Sequence, residues 1–534
     1  MESELPAELI HRIQSLLSKK EAAATCILSK SWLHAWNTTP HLKFHNTKLK
    51  IENTLERYQR LNLPIQSLDI RMDIFSYDTA PLTRWIQQVT SKSCLKELSL
   101  CLNPYINSFS VPKEIFSCEN LTMINVINEA YSISSIYSST ITITRPLWIC
   151  KNNMIKCVSL CVLKLIKVNI SEELFNNLLS TCTLLEKIQL CHCIGLKTVN
   201  VNDLSRLIEL KIHLNEEDCV KVKDLPCLTE LEISPSCDFV FEIDNVPSLS
   251  IFRYRVNKPL LPLSHMDQVA ARVTHLQIHG LLIWNNEFTD MIKSKFPFLA
   301  DLDVGVRYWG KYKDLVITNA TLKRLTLKLD DYSRNDVQVD APNLLYFSYE
   351  SAKIRTLLFP VVAPKQIDLK INLIKPMDLS FFLKLREVLN LSSTFDIYIR
   401  GTSNDTLLTW DDTSVKNMRT RFLNPATNVK QLHIETNEHV WKHTLYYDLF
   451  FPVCHPSGLM VELVVVKANS DNRLFSDLMV RGILKNKKKR DLKNVQMRSS
   501  GNERWEDVTL RSWKTFIDPS QPSSVDFKLE WFTQ

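Results

Sequence analysis

A six-residue pattern of the form apolar-x-x-apolar-x-apolar recurs along this chain and constrains its fold more than any other feature. The copies are LKELSL from Leu95, LTMINV from Leu121, LCVLKL from Leu160, LEKIQL from Leu185, LIELKI from Leu207, LTELEI from Leu228, LSIFRY from Leu249, VTHLQI from Val273, LADLDV from Leu299, LKRLTL from Leu322 and LLYFSY from Leu344, with fainter copies at IQSLDI from Ile65 and VKQLHI from Val429. From Leu160 onward, successive copies begin 25, 22, 21, 21, 24, 26, 23 and 22 residues apart. A period in this range indicates a stacked array of repeats and not a single globular core.

Each copy has the pattern of a β-strand with one buried face, because its fourth and sixth positions are apolar and alternate with polar ones. One such strand cannot bury that face alone, whereas stacked copies form a parallel sheet over a continuous apolar column. Each fully buried Leu or Ile then contributes about 1.5–3 kcal/mol. The period is that of leucine-rich repeats, and the array resembles plant leucine-rich repeats of irregular length over roughly 65–440.

The third and fifth positions of each copy point away from the apolar column and are expected to line the concave face of the array. We call these residues the polar strip: Glu97, Lys187, Gln189, Glu209, Lys211, Glu230, Glu232, Arg253, His275, Gln277, Asp301, Asp303 and Arg324. For any one of them a solvated sheet face is the alternative. For the strip as a whole we predict a surface that binds a protein substrate, since extended concave faces are what solenoids offer to partners.

The N-terminal stretch from Leu5 to Trp36 predicts three short helices. In the first, Pro6 stands in the opening turn, with Ser3 as a candidate N-cap, and apolar residues recur along one stripe. The second begins with the capping-box sequence Ser18-x-x-Glu21. Three helices of this size leave apolar surface uncovered, which implies a groove on another protein.

This stretch resembles the F-box, in its plant version. The resemblance is carried by Leu5-Pro6-x-Glu8-Leu9-Ile10, Ile13, Leu16-Leu17, Lys20-Glu21-Ala22-Ala23, Leu28-Ser29-Lys30, Trp32-x₃-Trp36 and Pro40-x-Leu42-x-Phe44. Cys26 and Ser31 depart from the usual serine and arginine.

The resemblance implies docking onto a Skp-family adaptor that links the chain to cullin and RING subunits of a ubiquitin ligase. The residues expected to contact the adaptor, or to support those contacts, are Leu5, Pro6, Leu9, Ile10, Ile13, Leu17, Leu28 and Trp32. The alternative is that they only pack the small helical domain.

Three patterns that suggest chemistry are better explained by structure. Residues 305–312, GVRYWGKY, have P-loop spacing, but Tyr312 replaces the Ser or Thr that should hold magnesium. Cys191-His192-Cys193 lacks the separated ligand pairs of a zinc site, and Cys193 occupies the repeat position where a small residue packs under a turn. The carboxylates of Glu230/Glu232 and Asp301/Asp303 lie on single strands, without a cleft between them. We therefore expect a non-catalytic protein without metal or cofactor.

Composition and the tail complete the prediction. No N-terminal apolar segment or run of about 18 apolar residues occurs, so we expect a cytoplasmic or nuclear protein whose 14 cysteines are reduced. The net charge of +7 is spread along the chain, which argues against nucleic acid as a partner. The run KNKKKR at 485–490 is a nuclear import signal or a solvated loop. The tail resembles the C-terminal segment of some plant F-box/leucine-rich-repeat proteins.

The prediction is an α/β protein: an F-box at 1–45, a leucine-rich-repeat solenoid at 46–440 and a mixed α/β C-terminal cap at 441–534. As a function, the resemblance implies a substrate-recognition subunit of an SCF-type ubiquitin ligase, without membrane partners. Two alternatives are a co-receptor for a hormone-like small molecule and an F-box scaffold that acts without a cullin.

Overall fold

A computed structural model describes most of the chain. The described residues are 5–46, 48–74, 80–91, 94–104, 109–129, 147–149, 155–213, 219–234, 240–256, 269–284, 286–309, 315–329, 336–373, 377–401, 417–418, 420–422, 424–436, 449–463, 483, 492–499, 505–507 and 524–532. Ser3, the end of the P-loop-like segment at 310–312 and the basic run at 485–490 lie outside them.

The chain forms two compact units. Unit 1 contains residues 1–258 and 264–272, and unit 2 contains residues 259–263 and 273–534. The domain boundaries predicted after residues 45 and 440 rest on the F-box resemblance and on the repeat pattern. They stay predictions.

Short helices open unit 1, as the sequence indicates. They are α1 (Ala7–Leu16), α2 (Lys19–Ala24), a 3-10 turn (Thr25–Ile27) and α3 (Lys30–Asn37). The predicted capping box is confirmed: Ser18 Oγ accepts from the Glu21 amide at 3.3 Å, and Glu21 accepts from the Ser18 amide at 2.8 Å. Pro6 is the N-cap of α1 and thus lies just before the first turn.

The remaining helices lie between strands and bury one face each. They are α4 (Lys48–Arg60), α5 (Ala80–Thr90), a 3-10 turn (Lys113–Ser117), α6 (Glu172–Thr181), α7 (Asn286–Ser294) and α8 (Leu379–Leu389). Ser171 and Asp378 cap α6 and α8 by accepting from the amides of Leu174 and Phe381. Across the described part of the chain, no helix is long and apolar enough to span a membrane.

Unit 1 is built on a parallel sheet to which each repeat adds one strand. The strands of the unit are β1 (His41–His45), β2 (Ser67–Ile74), β3 (Glu97–Pro104), β4 (Phe109–Val111), β5 (Met123–Asn128), β6 (Leu147–Ile149), β7 (Val162–Ile166), β8 (Val168–Asn169), β9 (Lys187–Cys191), β10 (Thr198–Asn202), β11 (Glu209–His213), β12 (Cys219–Lys223), β13 (Glu230–Ser234), β14 (Val240–Asp244) and β15 (Ile251–Val256). The main sheet has the order β1-β2-β3-β5-β7-β9-β11-β13-β15, and every pairing is parallel. Two smaller parallel sheets, β4-β6-β8 and β10-β12-β14, form from the return segments.

The register of this sheet follows the repeat. Ile188, Leu210, Leu231 and Phe252, which are the fourth positions of consecutive copies, stand opposite one another. All four are at most 1% exposed. The fourth and sixth positions thus form the apolar core that the pattern predicts.

Unit 2 has the same plan and ends differently. Its strands are β16 (His275–Trp284), β17 (Asp301–Trp309), β18 (Leu315–Thr318), β19 (Arg324–Leu329), β20 (Val337–Asp340), β21 (Tyr346–Ser351), β22 (Leu357–Leu358), β23 (Gln366–Leu373), β24 (Thr394–Gly401), β25 (Val429–Thr436), β26 (Gly458–Leu463), β27 (Leu492–Ser499), β28 (Glu506–Asp507) and β29 (Ser524–Trp531). The order β16-β17-β19-β21-β23-β24-β25-β26 is parallel throughout, and β18-β20-β22 form a smaller parallel sheet.

The described part of the tail closes this sheet with antiparallel strands. β29 pairs antiparallel with β26 and with β27, and β27 pairs antiparallel with β28. His455 stacks on Trp531 with ring centroids 3.9 Å apart, and the Trp531 indole N–H donates to the Pro456 carbonyl at 2.7 Å. Two short sequences of the tail therefore meet at the end of the parallel sheet. They are Cys-His-Pro at 454–456 and Phe-Lys-Leu-x-Trp at 527–531.

Candidate docking surfaces

The N-terminal helices expose large apolar side chains to an unusual extent. Leu9, Ile13 and Leu16 recur at helical spacing along α1 and are 47%, 37% and 81% exposed. We call the exposed apolar residues of this segment the helical surface: Leu5, Leu9, Ile13, Leu16, Leu17, Ile27, Leu28 and Leu33. Leaving apolar side chains in water forfeits the free energy that their burial would provide, so a surface of this kind is a candidate docking site for another protein.

The interior of the three helices is small and partly polar, which explains why the leucines remain outside. Ala22, Ala35 and Ile10 are at most 2% exposed and fill the centre. The buried Gln14 amide donates to Thr25 Oγ1 at 2.9 Å and to the Trp32 carbonyl at 3.3 Å. These contacts hold α1 against α3 without using the leucines.

The predicted adaptor residues separate into two groups. The structure exposes Leu5, Pro6, Leu9, Ile13, Leu17 and Leu28, and it leaves Trp32 partly exposed. Ile10 is 1% exposed, so it can support a contact surface but cannot be part of it. Ile27 and Leu33, 88% and 46% exposed, were not singled out from the sequence. Their exposure could have been predicted from the sequence, because they are apolar residues that the apolar stripe of the helical core does not require.

The helices are attached to the first strands of unit 1 by α4. The Tyr58 hydroxyl donates to the Thr39 carbonyl at 2.7 Å, and Arg57 donates to the Asn37 carbonyl at 3.1 Å. Burial raises the pKa of Tyr58, so this hydroxyl keeps its proton and remains a donor. The segment after α3 is thereby fixed to α4.

In unit 1, the polar strip is a ladder of paired charges. Glu209 accepts from Lys187 at 3.1 Å and from Lys211 at 2.6 Å. Glu230 pairs with Lys211 at 3.3 Å and with Arg253. The hydrogen bond from Lys211, followed by the one from Lys187, holds the pKa of Glu209 below its usual value despite partial burial. Neighbouring strands therefore present an ordered row of ionised groups.

A histidine that the sequence reading missed lies within this ladder. His213 stands opposite Cys191, one strand away, and its Nε2 is 2.9 Å from Glu232 Oε1. Burial alone would lower the pKa of His213, but hydrogen bonds to Cys191 and Glu232 and their charges offset burial and raise it to about 9. The Glu232 carboxylate therefore favours the protonated form of His213. His213 follows the apolar sixth position of its copy. It therefore lies outside the third and fifth positions from which the polar strip is predicted.

In unit 2, the polar strip also combines carboxylates with polar and basic side chains. Asp301 and Asp303 of β17 stand opposite His275 and Gln277 of β16. Gln277 donates to Asp303 at 3.2 Å, and His279 lies 2.8 Å from the same carboxylate.

Arg324 completes this part of the strip. It lies 3.6 Å from Asp301 and stacks over the Tyr346 ring at 4.3 Å. Burial is the main reason why the pKa of Asp301 is raised.

Further along unit 2, carboxylates beyond the polar strip lie on the next strands of the same sheet, β23 and β24. Gln366 donates to Asp368 at 3.0 Å and to Asp396 at 3.2 Å, and the Tyr346 hydroxyl donates to Asp368. Burial and the charge of Asp368 raise the pKa of Asp396, while the charge of Lys430 lowers it. The strip is a surface suited to polar recognition.

Two of the three chemical patterns of the sequence contain described residues with a structural explanation. Cys193 is buried, with its thiol 3.4 Å from the Leu165 carbonyl. Gly305 lies inside β17, and a Cβ there would find its nearest neighbours at 3.7 Å, so the position does not require glycine. Within the described residues, no group of three His, Cys, Asp or Glu side chains could hold a metal ion.

Several known proteins are similar to parts of this chain. A family model described as the LRR repeats of FBD-associated F-box protein At5g56370 matches residues 82–269. A putative F-box/LRR-repeat protein of Arabidopsis thaliana is 29% identical over 299 residues, which are 55% of this chain and 54% of that protein. A probable FBD-associated F-box protein of the same plant is 28% identical over 43% of this chain and 55% of its own length. F-box/LRR-repeat protein 25 from Arabidopsis is 27% identical over 40% of this chain and 75% of its own length. The chain thus spans about half the length of the first two.

Proposed function

We propose that this chain, a relative of the plant F-box/leucine-rich-repeat proteins, is a substrate-recognition subunit of an SCF-type ubiquitin ligase. The observation that carries the proposal is the helical surface, which is followed along the chain by repeats that match that family. The resemblance of the N-terminal stretch to the F-box suggests the class of partner, and the exposed leucines supply a physical reason for one.

Docking onto a Skp-family adaptor is driven by apolar burial. Fully burying a leucine is worth about 1.5–3 kcal/mol, so a few residues such as Leu9, Ile13 and Leu16 can provide most of the binding free energy. Contacts at the centre of such a surface usually dominate the affinity. Ile10 and Gln14 support this binding from the buried side of α1, because they keep the helix in the orientation that exposes the leucines.

The polar strip selects the protein to be ubiquitinated. Its charges are ordered by ion pairs across neighbouring strands, as in the row from Lys187 through Glu209 and Lys211 to Glu230. Ordered charges favour a partner of complementary pattern and disfavour others. In this function the chain makes and breaks no covalent bond, and it acts by holding the substrate close to a ubiquitin-conjugating enzyme on the same assembly.

A binding experiment with a matched control tests the adaptor step. The full chain and the variant Leu9→Asp/Ile13→Asp are compared for capture of a purified Skp-family adaptor. We expect the dissociation constant to rise at least about 100-fold, because two charges replace buried apolar contacts.

The control is Leu345→Asp, since Leu345 is 48% exposed, close to the 47% of Leu9, but belongs to unit 2. It should leave adaptor affinity unchanged, and circular dichroism should show all three proteins equally folded. Equal capture by the wild type and the double variant would contradict the proposed docking surface.

A further inference from the structure

Two buried thiols from consecutive repeats of unit 1 lie in contact. Cys157 and Cys182 each stand three residues before the first leucine of a copy, at Leu160 and Leu185. Their sulfur atoms are 3.5 Å apart, and both residues are 0% exposed. Because a disulfide joins sulfurs about 2.05 Å apart, the two atoms need to approach by only about 1.5 Å to form one.

We propose that Cys157 and Cys182 form an oxidation site, which a peroxide converts into a disulfide that joins two consecutive repeats. The site is independent of the adaptor function proposed above. Its chemistry needs the two thiols, a small two-electron oxidant and a local opening of the buried site that admits the oxidant.

The two cysteines have different roles in this reaction. Cys182 Sγ is also 3.2 Å from the Cys157 carbonyl, so its S–H is directed at Cys157. The hydrogen bond from Cys182 lowers the pKa of Cys157 below the usual thiol value, and the same contact, together with burial, raises the pKa of Cys182. Cys157 is therefore the thiol that ionises first and attacks, since the thiolate is the nucleophile.

The steps balance with hydrogen peroxide as oxidant. The Cys157 thiolate attacks one peroxide oxygen, the O–O bond breaks, and hydroxide leaves, so that Cys157 becomes a sulfenic acid. The Cys182 sulfur then attacks the sulfenic sulfur, its proton goes to the departing hydroxide, and water leaves. The proton that Cys157 released on ionising combines with the hydroxide from the first step, so in total two thiols and one peroxide give one disulfide and two waters.

Cys118 provides a matched comparison within the same row. It occupies the equivalent position before Leu121 and is also buried, but its thiol is directed at the carbonyls of Thr90 at 3.5 Å and Glu114 at 3.8 Å. Burial, and then the charge of Cys157, raise its pKa to about 11. Among the described residues, no other sulfur lies within hydrogen-bonding distance of the Cys118 sulfur, so we expect it to stay reduced.

The test uses the full chain treated with hydrogen peroxide, then denatured in N-ethylmaleimide and digested with trypsin without reductant. The expected product links the peptide 157–164 to the peptide 168–187. Because peptide 157–164 also contains Cys161, the experiment is repeated with Cys161→Ser, which should give the same product. Cys157→Ala and Cys182→Ala should lower its yield by at least about tenfold, whereas Cys118→Ser should not change it.

A second readout follows from the new covalent link. A disulfide that closes a loop of this length stabilises the folded state, so the apparent Tm should rise by about 5 °C on oxidation and return on reduction. The rise should be absent in Cys182→Ala and present in Cys118→Ser. Recovery of Cys157 and Cys182 both alkylated after peroxide, or a bond from Cys118 to Cys157, would overturn the proposal.

Discussion

His213 shows how neighbours determine the charge of a single residue in the polar strip. Its imidazole is only 15% exposed, yet Glu232 at 2.9 Å and Cys191 on the adjacent strand make the protonated form the stable one. A buried cation is tolerated in a protein when it is paired in this way. The residue should therefore link the stability of unit 1 to pH.

We predict that the wild type loses stability as the pH rises from about 6.5 to about 9, relative to the variant His213→Gln. The pKa of His213 is raised in the folded state to about 9 from an ordinary value of 6.5. Its contribution is therefore complete below about 6.5 and is lost as the pH rises through about 9, with an upper limit of about 3 kcal/mol. Thermal unfolding from pH 6 to 9.5 measures the difference between the two proteins.

His41→Gln serves as the control, because His41 is an exposed histidine at the beginning of β1. Its pH profile should run parallel to that of the wild type. If His213→Gln also ran parallel, the proposed pairing with Glu232 would not stabilise the fold.

At the scale of elements, the helices and strands were predictable where a local signal acts alone. The capping box at Ser18 and Glu21 begins α2 where the sequence places it, because both hydrogen bonds are made within four residues. The strands begin at the repeat positions because alternation of buried and exposed residues needs no long-range information. Pro6 lies one step outside its predicted turn, which is the usual uncertainty of a helix end.

We predict that Ser18→Ala destabilises the N-terminal helices by about 1 kcal/mol, because it leaves the Glu21 amide without its acceptor. Hydrogen exchange of the α2 amides measures this locally. Glu21→Gln keeps an acceptor for the Ser18 amide, so it should cost less. Identical exchange in the wild type and Ser18→Ala would show that packing of Ala22 alone holds α2.

At the scale of the whole molecule, the sequence predicts the composition of the surfaces better than their contacts. The polar strip is exposed or half-buried because its residues occupy the third and fifth positions of strands. The partners within it, such as His213 with Glu232 and Gln366 with Asp396, depend on the register between strands that are about twenty residues or more apart. The burial of Ile10 beneath Leu9 and Ile13 was not predictable from the sequence for a related reason, since it depends on how three helices pack.

The separate location of the two surfaces leads to a last prediction, which rests on the proposed function. The helical surface belongs to residues 5–33, whereas the polar strip lies on strands from β3 onward. The variant Leu9→Asp/Ile13→Asp should therefore lose the adaptor and still bind its substrate. In cells, a substrate held by this variant is not ubiquitinated, so it should accumulate on the variant several-fold relative to the wild type.

Quantitative mass spectrometry of proteins captured with the two chains measures this enrichment. A third chain adds Glu209→Lys and Glu230→Lys to the double variant, which reverses the charges that Lys187, Lys211 and Arg253 pair with in the strip. It should no longer retain the enriched protein, because like charges then stand side by side on neighbouring strands. Retention by all three chains alike would show that the captured protein is bound elsewhere, and the assignment of substrate binding to the polar strip of unit 1 would then be wrong.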